Sequence, residues 1–337
     1  MPTRKPAISV CIPVYNGERH LGVAIRSVLS QSFKNLELLI IDDSSTDNSL
    51  QLAKCFRDPR LRIIRNDHNL GMVGNFNKCV SSARGEFVCI LPQDDIMLPE
   101  RLQVQHDLMS KNSRIGYVHS ASWIVDDNDR ACALRKPFHS NHVWPGLQAI
   151  EKHAFGNFVT FPTVMVRRES FLEVGPFDPE LSFALDWDMW LRIELAGYLV
   201  AYLARPLACY RFGSGYSSQT ASAFQNPSWL VSEEFKVIRK TFSDPYVRAR
   251  MAVANLGMDR VIAERICNSL VYWPLLMLQS GRLHFESIPQ SIYWFLIARK
   301  LGLIRLTICS IALVVVSRLL QLTTTNRVGY PAPSRKP

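Results

Sequence analysis

The sequence predicts an α/β fold: a mostly parallel sheet with helices on both faces, followed by a helical C-terminal segment. Three observations predict it. Apolar runs of strand length alternate with stretches of helical period through the first hundred residues. Clusters of acid and amide residues directly follow three of those runs. From residue 252 onward the pattern changes to longer apolar stretches broken by single Arg or Lys residues. Strands alternating with helices imply parallel pairing through right-handed crossovers. The boundary is placed between a domain at residues 8–225 and a helical, basic region at 226–337.

The elements follow in order. "ISVCIP" at 8–13 is a strand, and "GERHLGVAIRSVLSQSF" after it sets Leu21, Ile25, Val28 and Leu29 at helical spacing. "LELLII" at 36–41 is the next strand, and "STDNSLQLAKCF" opens with an N-cap cluster before a helix. "RLRIIR" at 60–65 and "FVCIL" at 87–91 are further strands, separated by a helix-compatible stretch around 74–83. In such sheets ligands bind beyond the carboxyl ends of the strands. Residues 13–16, 42–47 and 92–95 therefore meet along one edge. One acid cluster alone is an ordinary turn; three on one edge point to a site.

Composition narrows the classes. A chain of 337 residues with 47% hydrophobic residues has enough apolar surface for a packed core, and its formal charge of +10 favours an acidic partner. From residue 251 there are ten Lys or Arg against three Asp or Glu, so this quarter carries +7 of the charge. The eight cysteines form no C-x-x-C pair, and Cys11 and Cys89 sit in apolar strands, which favours a reducing compartment. The start passes from a short basic stretch straight into a strand, so no leader is expected and the catalytic part is placed in the cytoplasm.

The stretches "ISVCIPVYNGERHLGVAIRSVLSQSFKNLELLIIDDSSTDNS", "HNLGMVGNFNKCVSSARGEFVCILPQDDIMLPERL" and "GPFDPELSFALDWDMWLRIELAGYLVAYLARPLACYRFGSGYSS" recur in wording and order in one family. The chain resembles the family 2 inverting glycosyltransferases of GT-A (Rossmann-like) type, notably bacterial enzymes of cell-surface polysaccharide synthesis. The resemblance covers about residues 8 to 218. It implies a nucleoside-diphosphate-sugar donor and a glycan or lipid-linked glycan acceptor. Pro13, Tyr15 and Asp43 match positions that hold the nucleotide base, with Asp43 accepting a hydrogen bond from the base edge. Asp94 matches the ligand of a divalent cation, Mg²⁺ or Mn²⁺, that bridges the two phosphates. Asp186 matches the general base on the acceptor hydroxyl, and Arg211 lies in the mobile segment that closes over the diphosphate. The chemistry fits these residue types, since a leaving diphosphate gathers negative charge that a carboxylate-held cation neutralises.

Three departures qualify the match. Pro92 stands where Asp is commonest, so Asp94 takes the main ligand role, helped by Asp95 or water. Leu185 replaces a Glu before the base. Gly213 replaces a His after Arg211. For Asp186 a capping role is also legible, because Trp187, Trp190, Leu191 and Leu195 form an apolar helical face behind it. A carboxylate at a helix start is stabilised as an anion, which suits a base. Asp188 is the nearest rival.

In the last third, uncharged runs at 266–281, 287–298 and 306–317 span sixteen, twelve and twelve residues, short of the roughly 20 a bilayer span needs. Pro274 and Pro289 break them further. Basic residues with Trp273, Tyr293, Trp294 and Phe295 suit the membrane interface, so peripheral contact with the cytoplasmic face is expected, a packed helical bundle being the alternative. The competing function is a glycosyltransferase-like protein that binds nucleotide or glycan without turnover. A dinucleotide-dependent oxidoreductase lacks its G-x-G-x-x-G where the chain reads "PVYNGERHLG". No nucleic-acid partner is expected, since no recognition motif accompanies the charge.

Overall fold

The structure is a computed structural model that describes residues 5–153, 156–212 and 227–253. The chain divides into two units, Met1–Ser222 and Ala223–Pro337. In the first, strands β1 (Ile8–Val14), β2 (Leu36–Asp42), β3 (Leu61–Arg65) and β4 (Phe87–Ile90) alternate with helices α1 (Glu18–Leu29), α2 (Ser49–Cys55) and α3 (Gly71–Ser82). β1 is buried at every residue, as a strand covered on both faces must be, which is why it reads as one apolar run. α1 buries Leu21, Ile25 and Val28 of the stripe its spacing predicts, together with Ala24, and Leu29 is half-buried.

Later come β5 (Ile96–Met97), α4 (Arg101–Met109), β6 (Ile115–Val125), β7 (Ala131–Arg135), β8 (His142–Pro145), α5 (Gly146–His153), β9 (Met165–Arg167), α6 (Arg168–Val174), α7 (Leu185–Leu195) and β10 (Leu199–Arg211). All ten strands form one sheet with the path β3-β2-β1-β4-β9-β6-β10-β5, β7 pairing with β6 and β8 with β10. β3, β2, β1 and β4 run parallel. β9 is antiparallel to both β4 and β6, so β6 and its parallel neighbour β10 run in the same sense as the first four. The predicted mostly parallel sheet is observed.

The path turns at β1. β2 and β3 lie on one side of it and β4 on the other, so the carboxyl ends of β1 and β4 flank a reversal of strand order, where α/β sheets open a crevice. The β1–β4 ladder ends at Cys11 and Ile90, with Leu91 still donating its N–H to Cys11 O at 2.8 Å. Pro13 comes after that ladder has ended, so its missing N–H interrupts nothing on the β4 side.

In the second unit the described residues form α8 (Pro227–Ser243) and α9 (Pro245–Val253). No helix among the described residues is long and apolar enough to cross a membrane. The three uncharged runs, their prolines and aromatics, and Gly213 lie outside the described residues. The six cysteines within them are free thiols.

Candidate active site

At the end of β1 the backbone turns through Asn16, whose φ of 49° lies in the left-handed region that Asn tolerates. Tyr15, just before it, is 48% exposed, whereas Pro13 is buried within β1. Of these two residues matched to the nucleotide base, Tyr15 presents a surface. Its backbone is held by Gln93: Tyr15 N–H donates to Gln93 Oε1 at 3.0 Å, and Gln93 Nε2 donates to Tyr15 O at 3.1 Å. The bridge needs Gly17, where a Cβ would lie 2.2 Å from Gln93 Oε1.

The acids after β2 divide their work. Asp43 is buried, and its Oδ1 accepts Asn66 Nδ2 at 2.7 Å and Leu70 N–H at 2.8 Å. Both of these bonds fall on Oδ1. Asp47 instead caps two helices, accepting Glu18 N–H at 3.0 Å and Ser49 N–H at 2.9 Å. For Asp47 the ordinary turn and cap role is therefore sufficient.

Asp94 and Asp95 differ more than their adjacency implies. Asp95 is fully buried, and its Oδ1 accepts Arg211 N–H at 2.7 Å, which pins the end of β10 to the loop after β4. Asp95 Oδ2 is buried without a partner. Burial, then the neighbouring Asp94, pushes its carboxyl well above the usual range. Asp94 is half-buried, and its carboxylate accepts no hydrogen bond from another described residue. Burial raises its carboxyl too, against the pull of Arg211 and His20.

Arg211 is the last residue of β10 and is buried, so it precedes the segment that the resemblance assigns to it. Its Nε donates to Asp94 O at 2.8 Å, and the rest of the guanidinium is taken by Asp126 O and Asp129 Oδ1. In this arrangement Arg211 braces the Asp94 loop from inside the fold. His20, in the first turn of α1, adds a titratable ring beside Asp94 whose protonated form is disfavoured by burial, then by Arg211 and Arg19.

No group of three or more His, Cys, Asp or Glu side chains is placed to hold a metal among the described residues. A Mg²⁺- or Mn²⁺-sized ion shared with a diphosphate takes most of its oxygens from phosphate and water, so one uncommitted carboxylate suffices. Asp94 fits that requirement. Asp95, with one oxygen already bonded to Arg211 N–H, fits it less well.

Asp186 belongs to a second cluster. It is the second residue of α7, whose N-cap position is Ala184 with no side-chain cap bond. Asp186 Oδ2 accepts Asn157 Nδ2 at 2.9 Å, and Oδ1 accepts Trp187 N–H at 2.7 Å. Burial pushes its carboxyl up to about 6, with the Asn157 bond and Trp187 N–H working against the rise. The helix start does not dominate here; desolvation outweighs it. Asp188 is buried and ion-paired to Arg192 at 2.8 Å, and Arg192 also donates to the carbonyls of Val174, Gly175 and Pro176. The two acids of "LDWD" thus have separate surroundings.

Gln93, Asn157 and His20 are the residues that sequence patterns left without roles. Gln93 lies inside a motif, so its neighbours mark it. Asn157 lies 29 positions before its partner, in a stretch with no periodic signal.

The comparisons with known proteins agree on family. The model of glycosyl transferase family 2 matches residues 9–175. An uncharacterized protein of Mycobacterium tuberculosis is 31% identical over 211 residues, covering 57% of this chain and 63% of that relative's length. The putative glycosyltransferase EpsE of Bacillus subtilis is 35% identical over 275 residues, covering 78% of this chain and 95% of EpsE. Among solved structures, S. aureus TarS 1-349 in complex with UDP-GlcNAc superposes with a TM-score of 0.63 at 20% identity, over 86% of this chain and 79% of that one. The structural likeness speaks for the fold, and the sequence likeness for the family: the chain belongs to glycosyl transferase family 2 and is a glycosyltransferase.

Proposed function

We propose that the protein transfers one sugar, with inversion, from a nucleoside-diphosphate sugar to a hydroxyl of a glycan or lipid-linked glycan acceptor, in polysaccharide synthesis at the cytoplasmic face of the membrane. The observation that carries the reading is the contrast between Asp186 and Asp188. One is a carboxylate held by an amide and a backbone N–H with no ion-pair partner among the described residues; the other is neutralised by Arg192. A general base needs the first environment.

In this reading Tyr15 offers its ring to the nucleotide base and Asp43 offers Oδ2 to the base edge. Asp94 holds the divalent cation, with Arg211 fixing the Asp94 backbone. Bound there, Mg²⁺ or Mn²⁺ supplies the positive charge that the leaving diphosphate requires. Asp186 takes the proton of the acceptor hydroxyl as its oxygen bonds to the anomeric carbon. The bond from that carbon to the phosphate oxygen breaks, and its electron pair leaves with the diphosphate.

A thermal-shift screen of uridine, thymidine and guanosine diphosphates tests the donor half, since a ligand that binds the folded state raises Tm. UDP and UDP-GlcNAc come first because TarS was crystallised with the latter. Stabilisation that is larger with Mn²⁺ or Mg²⁺ than with EDTA supports the reading. Equal stabilisation in EDTA counts against Asp94 as a metal ligand.

A further inference from the structure

The segment after α5 carries a residue that reaches the carboxylate of Asp186. Gly156, with φ of 145°, occupies backbone space that only glycine enters freely, and its N–H returns to His153 O at 3.0 Å. Asn157 follows. Its Oδ1 accepts Val159 N–H at 3.0 Å, which fixes the amide's orientation and leaves Nδ2 to donate to Asp186 Oδ2 at 2.9 Å. Its carbonyl accepts Arg135 Nη2 at 3.4 Å, so a residue of β7 meets the same backbone.

We propose that Asn157 is the positioning residue of the catalytic base: its side-chain amide holds the plane of the Asp186 carboxylate toward the acceptor hydroxyl and keeps it available as an anion. The proposal rests on the reading of Asp186 as base. A primary amide suits the task because it donates a hydrogen bond without a charge, so it orients the carboxylate without forming the ion pair that ties up Asp188. One donor on Oδ2 and the Trp187 N–H on Oδ1 leave each oxygen a further lone pair, and together they set the plane of the group.

The other groups around Asp186 do not duplicate this role. Titratable and charged neighbours are His153 from α5, Tyr117 from β6 and Arg135 from β7. His153 Nδ1 lies 2.8 Å from Glu194 Oε1, and Tyr117 OH donates to the same oxygen, so both are engaged with Glu194. Arg135 donates its Nη2 to the backbone carbonyl of Asn157. On α7 itself Asp188 is paired with Arg192.

The test uses the full chain labelled with [¹³C]aspartate, the Asp186 carboxyl resonance being assigned by its loss in Asp186→Asn. Two variants separate structure from positioning. Asn157→Ala removes both side-chain bonds. Asn157→Asp keeps an oxygen for Val159 N–H but replaces the donor to Asp186 with a second carboxylate. A hydrogen bond to a charged group corresponds to about one pH unit. The titration midpoint of Asp186 should rise by roughly that amount in Asn157→Ala and by at least as much in Asn157→Asp. The acid limb of kcat should move up with it, while KM for donor stays within about twofold, since the donor site contains no Asn157 contact. An unchanged Asp186 midpoint in folded Asn157→Asp overturns the proposal, as does a normal kcat–pH profile beside a shifted midpoint. Because the NMR titration needs no turnover, it is independent of the base assignment, whose own test is transfer by Asp186→Asn.

Discussion

Gln93 and Tyr15 are joined by two hydrogen bonds from a single side-chain amide, 3.0 Å from Tyr15 N–H to Gln93 Oε1 and 3.1 Å from Gln93 Nε2 to Tyr15 O. The pair continues across the crevice where the β1–β4 ladder has stopped, and it sets the backbone from which the exposed Tyr15 ring projects. A side chain here does the work of one more rung of the sheet.

Removing that rung should weaken donor binding without unfolding the protein. Gln93→Ala is expected to lower nucleotide affinity about 5- to 10-fold, the worth of one or two net hydrogen bonds, with Tm nearly unchanged. Gly17→Ala should act in the same direction, because its Cβ would push Gln93 Oε1 from its place. Isothermal titration with the nucleotide found by thermal shift reads both. Undiminished affinity in Gln93→Ala would show that Tyr15 is positioned without the bridge.

Asp94 and Asp95 should separate by phenotype. Asp94→Ala is expected to abolish the metal-dependent part of the nucleotide-induced Tm shift while leaving the apo Tm near that of the parent. Asp95→Ala leaves Arg211 N–H buried without its acceptor, so it should destabilise the fold by about 1–3 kcal/mol. The reverse order in a melting series with and without Mn²⁺ would mean that the metal ligand has been placed one residue early.

The carboxyl of Asp186, pushed up to about 6, gives a pH dependence of definite sign. Transfer should rise with pH through that value, because only the anion accepts the proton. Stability should run the other way. A folded-state value above the unfolded one favours the protonated form of the folded protein, so this group's contribution is fully present below about 4 and is lost as pH rises through about 6. Asp186→Asn removes that loss, and its Tm relative to the parent should increase between about pH 4 and 6. A difference in Tm that stays flat across that range would mean the carboxyl is not desolvated.

Asp188→Asn should do the opposite of Asp186→Asn. It breaks the ion pair with Arg192, which also holds the carbonyls of residues 174 to 176, so Tm should fall by the equivalent of about 1–3 kcal/mol. Turnover of the protein that remains folded should stay within about threefold of the parent. A selective loss of turnover at unchanged Tm would make Asp188 the better base.

The first half of the sheet was legible because β1, β2 and β4 are buried on both faces and read as largely apolar runs, interrupted only by Ser9, Glu37 and the terminal Asp42. The candidate site at their ends was legible because acids stand where those runs stop. β6 to β10 were not: β7 is exposed along its whole length and β9 has three residues, so neither leaves an apolar signature. The resemblance sets Arg211 in the mobile segment that closes over the diphosphate; in the structure it is the last residue of β10, and its Nε donates to Asp94 O. An arginine's sequence position does not disclose whether its head is solvated or spent on backbone carbonyls. Asn157 was invisible for a simpler reason. Its partner is distant in the chain, and amides in loops are commonplace.

The central claim, that Asp186 is the base of a glycosyl transfer, meets its most direct test in Asp186→Asn. Asparagine keeps the size and the Oδ1 that accepts Trp187 N–H, but it cannot take a proton. Sugar transfer is measured beside nucleotide binding and Tm on the same preparation. Donor affinity near that of the parent, a folded protein, and transfer reduced by roughly 10² to 10⁴ are the expected results. Near-normal transfer by the folded variant would contradict the claim.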